Sequence, residues 1–165
     1  MDVPISLRKP QLEDATAMWR IVSEDEVLDT NSCYLYLLLC RDFAETCIVA
    51  EHEGEVVGFV TGYRAPNNSR ALFIWQVVVA PQARRQGLAK RMIVALAEAQ
   101  PPHDIEFIEA TITPSNSPSR ALFAALASHW NTRIEYSDCF QPHHFGGAGH
   151  ESEELVRVGP LQEEL

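Results

Sequence analysis

With 165 residues, 13 Lys and Arg against 23 Asp and Glu and a net charge of −10, the chain is long enough to bury a core without staples. The acidity argues against nucleic acid and anionic membranes as partners, which need a broad basic face, and suits a cationic small substrate. The longest apolar runs, residues 34–40 and 74–80, are too short to span a bilayer, and with no basic segment followed by an apolar one near the N-terminus a secretory signal is not expected. Cys33, Cys40, Cys47 and Cys139 form no Cys-x-x-Cys pair and read as reduced, mostly buried thiols of a cytoplasmic protein.

Residues 5–8 alternate and predict an opening strand. Residues 11–23 predict a helix with Leu12, Ala15, Met18, Trp19 and Val22 on one face and Asp14 near its start. Ser32 is placed to cap a second helix reaching about Phe43. Strands follow at 46–51 and 56–63, joined by a tight hairpin turn at Glu53-Gly54. After a loop at 66–69, residues 72–79 form a further strand, and a basic turn leads into a helix over about 86–100, ended by Pro101-Pro102. Residues 105–113 predict a strand, and Ser117 caps a helix with Pro118 in its first position. Closing strands are expected at 132–140 and 155–158, with a Gly/His loop at 141–150 between them. No repeat or linker interrupts the pattern, so 1–165 reads as a single α/β (α+β) domain, a sheet flanked by helices.

The stretch from Val77 to Met92 carries the clearest chemistry. Val77-Val78-Val79 ends a strand, and Arg84, Arg85, Lys90 and Arg91 then surround Gly87 at a helix start. A helix start carries unpaired N–H donors and partial positive charge, which suits it to phosphate. The order Arg84-Arg85-Gln86-Gly87-Leu88-Ala89 after such a strand resembles the acetyl-coenzyme A signature of the GCN5-related N-acetyltransferase (GNAT) family. The resemblance implies a mixed sheet of about seven strands with about four helices, whose antiparallel part gives way to a parallel pair that admits the coenzyme. It also implies acetyl-CoA as cosubstrate, held by Val77, Val78, Val79, Arg84, Arg85, Gln86, Gly87, Leu88, Ala89 and Lys90. One strand later, Asn116 takes the role of contacting the pantetheine arm, with Ser119 and Phe123 on the same helix. Asn116 and Ser117 also read as plain cap residues, and the two readings are compatible. The family often places a Tyr where Phe123 stands, as acid to the departing thiolate. Either another group, with Tyr34, Tyr36 and Tyr136 as candidates, protonates the thiolate, or it leaves unassisted.

Three further segments bear on the acceptor: 28–40 from Leu28 to Cys40, Phe73-Ile74-Trp75-Gln76-Val77, and His150-Glu151-Ser152-Glu153-Glu154-Leu155. With the run Ala110-Thr111-Ile112-Thr113-Pro114-Ser115-Asn116 they are similar to the branch of the family that acetylates L-2,4-diaminobutyrate in ectoine synthesis. This implies transfer to the γ-amine and a homodimer. A diamine calls independently for carboxylates in a partly dry pocket. Asp29, Glu151, Glu153 and Glu154 supply them; Trp75 shares a strand face with Val77 and Val79. From spacing alone, Trp75 also reads as core and the terminal carboxylates as a solvated edge. The reacting amine, Lys-like with a pKa of about 10.4, must lose a proton first. Glu153 with His150 is the expected proton acceptor, Asp29 the anchor of the other amine, and Tyr34, Trp75, Thr111 and Glu154 complete the acceptor set. A strand N–H near Val78–Val79 is placed to stabilise the developing oxyanion. His143-His144 lacks a Cys/His partner pair, so no metal is expected. Other amines (polyamine, amino-sugar, protein N-terminus) and a non-catalytic coenzyme A-binding module are the competing readings.

Overall fold

In the computed structural model, which describes residues 3–147 and 149–161, the chain divides into two compact units, residues 3–63 with 74–100, and residues 64–73 with 101–161.

The first unit holds strands β1 (Ser6–Arg8), β2 (Ile48–His52), all but the last two residues of β3 (Glu55–Ala65) and the last half of β4 (Asn68–Val79), with helices α1 (Ala15–Glu24), α2 (Cys33–Asp42) and α3 (Leu88–Glu98). β1 pairs antiparallel with β2 (Leu7 opposite Ala50), and β2 with β3 (Val49 opposite Phe59). Glu53 and Gly54 both take positive φ, 51° and 82°, which matches the right-handed twist of the strands they join. Ala15, Met18 and Val22 of α1 are fully buried against Tyr36, Val49, Phe59 and Val78. Leu12, expected on the same face, is 51 % exposed, because residues 12–14 form a 3₁₀ turn that rotates it out of phase. Tyr36 meets Phe59 edge-on, centroids 5.9 Å apart. Gly58 is needed for close approach: a Cβ there would lie 3.0 Å from the Val78 carbonyl oxygen and 3.3 Å from Met92 Cε.

The second unit holds the first half of β4 with β5 (Phe107–Ile112), β6 (Arg133–Phe140), β7 (Glu153–Gly159) and helix α4 (Ser117–His129). β4 and β5 run parallel over three pairs, from Ala71–Phe107 to Phe73–Glu109. β7 lies between β5 and β6, antiparallel to both. The strand order is β1-β2-β3-β4-β5-β7-β6, so the described residues form the expected mixed sheet, with seven strands and four α-helices among them.

Side-chain parity sorts the second unit into two faces. Ile108, Ala110, Ile112, Val156 and Val158 point to one side and are buried with Phe123, Leu126 and Ala127 of α4. Phe107, Glu109, Thr111, Leu155 and Arg157 point to the other. A bulge then alters the register at the end of β6. Asp138 stands opposite Glu154, but Phe140 stands opposite Glu153, so Cys139 is the extra residue.

Some boundaries differ from the sequence reading. The loop at 66–69 contracts because β3 and β4 extend to Ala65 and from Asn68. α3 starts at Leu88 rather than 86, since Arg85 and Gly87 take the left-handed conformation just before it. Asn116, not Ser117, caps α4; its Oδ1 accepts from the Ser119 N–H at 3.2 Å, which moves Pro118 to the second helical position. β7 begins at Glu153, two residues early, because β6 pairs with both Glu153 and Glu154, and β5 with Glu154 as well, holding them in extended form.

Candidate active site

The first unit presents a turn built for an anion. β4 ends at Val79, a short 3₁₀ turn follows at Pro81–Ala83, and Gly87 caps α3 with φ 69° and ψ 22°. No side chain caps this helix start and its first turn carries no acidic residue, so its amide donors are left for a ligand. Arg85, Gln86 and Gly87 are exposed, Ala89 and Lys90 half-buried, and Leu88 is buried as an anchor for the helix. Arg84, expected with them, folds back: its Nε donates to the Val79 carbonyl at 3.1 Å and its guanidinium reaches Asp25 at 3.2 Å. The donor set fits a phosphate-bearing coenzyme through backbone N–H groups, Arg85, Gln86 and Lys90.

Three acceptor candidates lie in this same unit. Trp75 is 43 % exposed and shares its strand face with half-buried Val77 and Val79, while Val78 turns into the core at 3 %. Asp29 is exposed on the connection between α1 and α2. Asp25 organises that connection by accepting from the Val27 and Leu28 N–H groups, and Trp19 Nε1 donates to the Asn31 carbonyl at 3.0 Å. The tyrosines separate clearly. Tyr36 is fully buried with Gln76 Nε2 donating to its hydroxyl at 3.3 Å, a core role, whereas Tyr34 is 65 % exposed.

In the second unit, Thr111 Oγ1 donates to Glu153 Oε1 at 3.2 Å, which brings together two expected residues on the face away from α4. Glu154 points the other way and receives Arg120 Nη1 at 3.4 Å, with the same guanidinium 4.2 Å above the Tyr136 ring. The two adjacent glutamates therefore have opposite surroundings. His150 is exposed and stacks on Phe145, centroids 3.7 Å apart and planes 12° from parallel. Its Nδ1 lies 2.6 Å from the Glu151 carbonyl oxygen. A carbonyl only accepts, so Nδ1 carries the proton and Nε2 keeps its lone pair in the neutral ring. Glu151, in turn, accepts from the Ser115 hydroxyl. Asn116 is exposed and Ser119 half-buried, while Phe123 is only 3 % exposed within the core under α4. Among the described residues, no group of three or more His, Cys, Asp and Glu is arranged to hold a metal ion.

Residues 11–127 match the acetyltransferase (GNAT) family model. The chain belongs to the GNAT acetyltransferase family. Over nearly its whole length this GNAT chain is similar to proteins named L-2,4-diaminobutyric acid acetyltransferase. It is 42 % identical to that of Halalkalibacterium halodurans, covering 98 % of this chain and 85 % of the relative. The identity is 44 % to that of Shouchella clausii, covering 96 % and 88 %. Among solved structures, the diaminobutyrate acetyltransferase of Paenibacillus lautus, in complex with L-2,4-diaminobutyric acid and coenzyme A, aligns with a TM-score of 0.90. That alignment has 38 % identity and covers 99 % of both chains.

Partners that sequence reasoning missed are the ion pairs Asp25–Arg84 and Arg120–Glu154 and the Phe145–His150 stack. Local spacing carries no signal for the two ion pairs, whose members lie 59 and 34 residues apart. The stack is different: Phe145 and His150 both lie in the Gly/His loop at 141–150, but the sequence does not say that their rings meet.

Proposed function

We propose that this enzyme transfers the acetyl group of acetyl-CoA to the γ-amine of L-2,4-diaminobutyrate, giving the N-γ-acetyl product that serves as ectoine precursor. The observation that carries the reading is the near-complete match to a diaminobutyrate acetyltransferase whose structure holds both that amino acid and coenzyme A.

When bound, acetyl-CoA supplies an acetyl thioester as electrophile. The chain's own residues have two tasks, holding the two substrates and removing a proton from the amine. In the first unit, the bare start of α3 with Arg85, Gln86, Gly87 and Lys90 holds the phosphates, and Val77–Val79 lines the acyl end. Asp29 pairs with the ammonium that does not react, and Trp75 and Tyr34 contact the acceptor's carbon chain. In the second unit, Asn116 and Ser119 meet the pantetheine arm. Glu153 accepts the proton of the reacting ammonium, held in place by Thr111, and His150 Nε2 offers a second acceptor. Such an amine has a Lys-like pKa of about 10.4 and is almost wholly protonated at neutral pH, so attack requires this transfer. Glu154, neutralised by Arg120, holds the end of β7 rather than the proton. The free cysteines suit a reducing compartment such as the cytoplasm, and the family likeness supports a homodimer.

Thiol release with acetyl-CoA and diaminobutyrate tests the reaction, with ornithine, lysine and putrescine as competitors. A tuned pocket discriminates by roughly 10-fold or more per methylene. Glu153→Gln tests the proton acceptor: kcat should fall by roughly 10²- to 10⁴-fold with KM for acetyl-CoA unchanged. An unaltered kcat and pH profile would remove Glu153 from this role.

A further inference from the structure

The bulge at Cys139 has a consequence for ligand binding. Uninterrupted alternation would turn Phe140 toward α4, with Asp138 and Tyr136. The extra residue reverses the phase, so Phe140 stands directly opposite Glu153 and shares its face. Directly opposed residues bring their Cβ atoms to about 5 Å, so the ring and the carboxylate stem are neighbours. Around Phe140 the chain forms an open, aromatic-walled pocket of about 500 Å³, lined by Cys139, Phe140, His144 and Phe145. Phe140 meets Phe145 edge-on at 6.2 Å and His144 at 6.5 Å, and the far side of Phe145 is stacked on His150. Phe140 and Phe145 remain 45 % and 37 % exposed, large apolar rings left open to solvent.

Aromatic walls with one carboxylate opposite Phe140 in the strand register select one ligand chemistry. Ring faces attract a cation and accept methylene groups, and Glu153 supplies the matching negative charge. An anion would be repelled, and a neutral apolar group would desolvate the Glu153 carboxylate with only the Thr111 hydroxyl and no opposite charge to offset it.

We infer that this cavity seats the reacting alkylammonium arm of the diamine, making Phe140 and Phe145 specificity-determining residues. The inference rests on the diamine reading above and adds the aromatic walls to it. The cavity delivers the arm to Glu153, while His150, stacked on Phe145, buttresses that ring. Side chains at Phe140 and Phe145 set how far the ammonium stands from the carboxylate.

The test measures binding of L-2,4-diaminobutyrate and of 2-aminobutyrate, which lacks the ammonium arm, to the full chain in the presence of coenzyme A. The wild type and the variants Phe140→Leu, Phe145→Leu and Phe140→Tyr are compared. Wild type should prefer the diamine. Each Leu variant, apolar but without a ring, should lose roughly 10-fold of that preference. Phe140→Tyr should keep it, and KM for acetyl-CoA should stay constant throughout. A preference unchanged in both Leu variants overturns the inference, as does a shift of the Leu variants to a smaller species by light scattering with diamine binding intact, because the rings then cover a second copy. Wild type that neither binds nor acetylates the diamine sinks the parent reading instead, so the two failures are distinct.

Discussion

Asp14 is 8 % exposed at the start of α1, where a carboxylate survives only with partners. Burial by itself would push its pKa up. Arg8, through two hydrogen bonds of 2.7 and 3.0 Å, and the Gln11 N–H outweigh burial and hold it below the ordinary 3.8. Arg8 also reaches Glu51, so one guanidinium joins β1, α1 and β2. A carboxylate with a depressed folded pKa stabilises the fold above the unfolded value and loses that contribution as pH falls through the folded one. Asp14→Asn should therefore cost about 1–3 kcal/mol at pH 7. The gap to wild type should close progressively as pH drops below about 3.8, which urea titrations at pH 7, 4 and 3 would read. A gap that persists unchanged at pH 3 would assign the loss to packing. The same scale separates Glu153 from Glu154. Strand alternation in the sequence says that two adjacent glutamates face opposite ways; it does not say which meets Thr111 and which meets Arg120.

The connection between α1 and α2 and the basic turn before α3 are joined by the Asp25–Arg84 pair, with the Asp25 side chain only 16 % exposed. The segment that carries Asp29 is thus tied to the segment that caps α3. Asp25→Ala removes the acceptor of two backbone N–H groups together with the ion pair, freeing both ends at once. KM should rise for diaminobutyrate and, through Arg84, for acetyl-CoA, with the melting temperature within a few degrees of wild type. Arg84→Lys should reproduce part of the acetyl-CoA effect, since an ammonium cannot hold Val79 and Asp25 in the same planar fork. An acetyl-CoA KM untouched in both variants would separate the two segments functionally. At this scale the chain was legible wherever punctuation was strong. Glu53-Gly54, Gly87 and Pro101-Pro102 mark their boundaries because each has a backbone requirement that few residues meet. The cap at Asn116 was ambiguous, with two cap-forming residues adjacent and Pro118 tolerated at either following position. The bulge at Cys139 was invisible. Which residue of Asp138-Cys139-Phe140 is left unpaired depends on β7, which joins this ladder from beyond the loop.

Over the whole molecule, a net charge of −10 meets two substrates of opposite sign. The acceptor is cationic at its side chain, and the donor is polyanionic. The chain's field therefore favours approach of the diamine and opposes approach of the coenzyme, against which Arg85 and Lys90 act only locally. Salt separates these contributions. At about 10 mM ionic strength charges act over roughly 30 Å, and at 0.15 M over roughly 8 Å, so screening removes the long-range field before the short-range contacts. Raising NaCl across this range at constant pH should raise KM for diaminobutyrate by roughly two-fold or more. KM for acetyl-CoA should stay flat or fall, because lost repulsion offsets weakened attraction at the turn. In Arg85→Ala, with the local attraction reduced, the acetyl-CoA KM should start higher and then fall more steeply with salt. If both KM values rise in parallel with salt, the turn rather than the net charge governs the donor's approach, and the acidic surface has another cause.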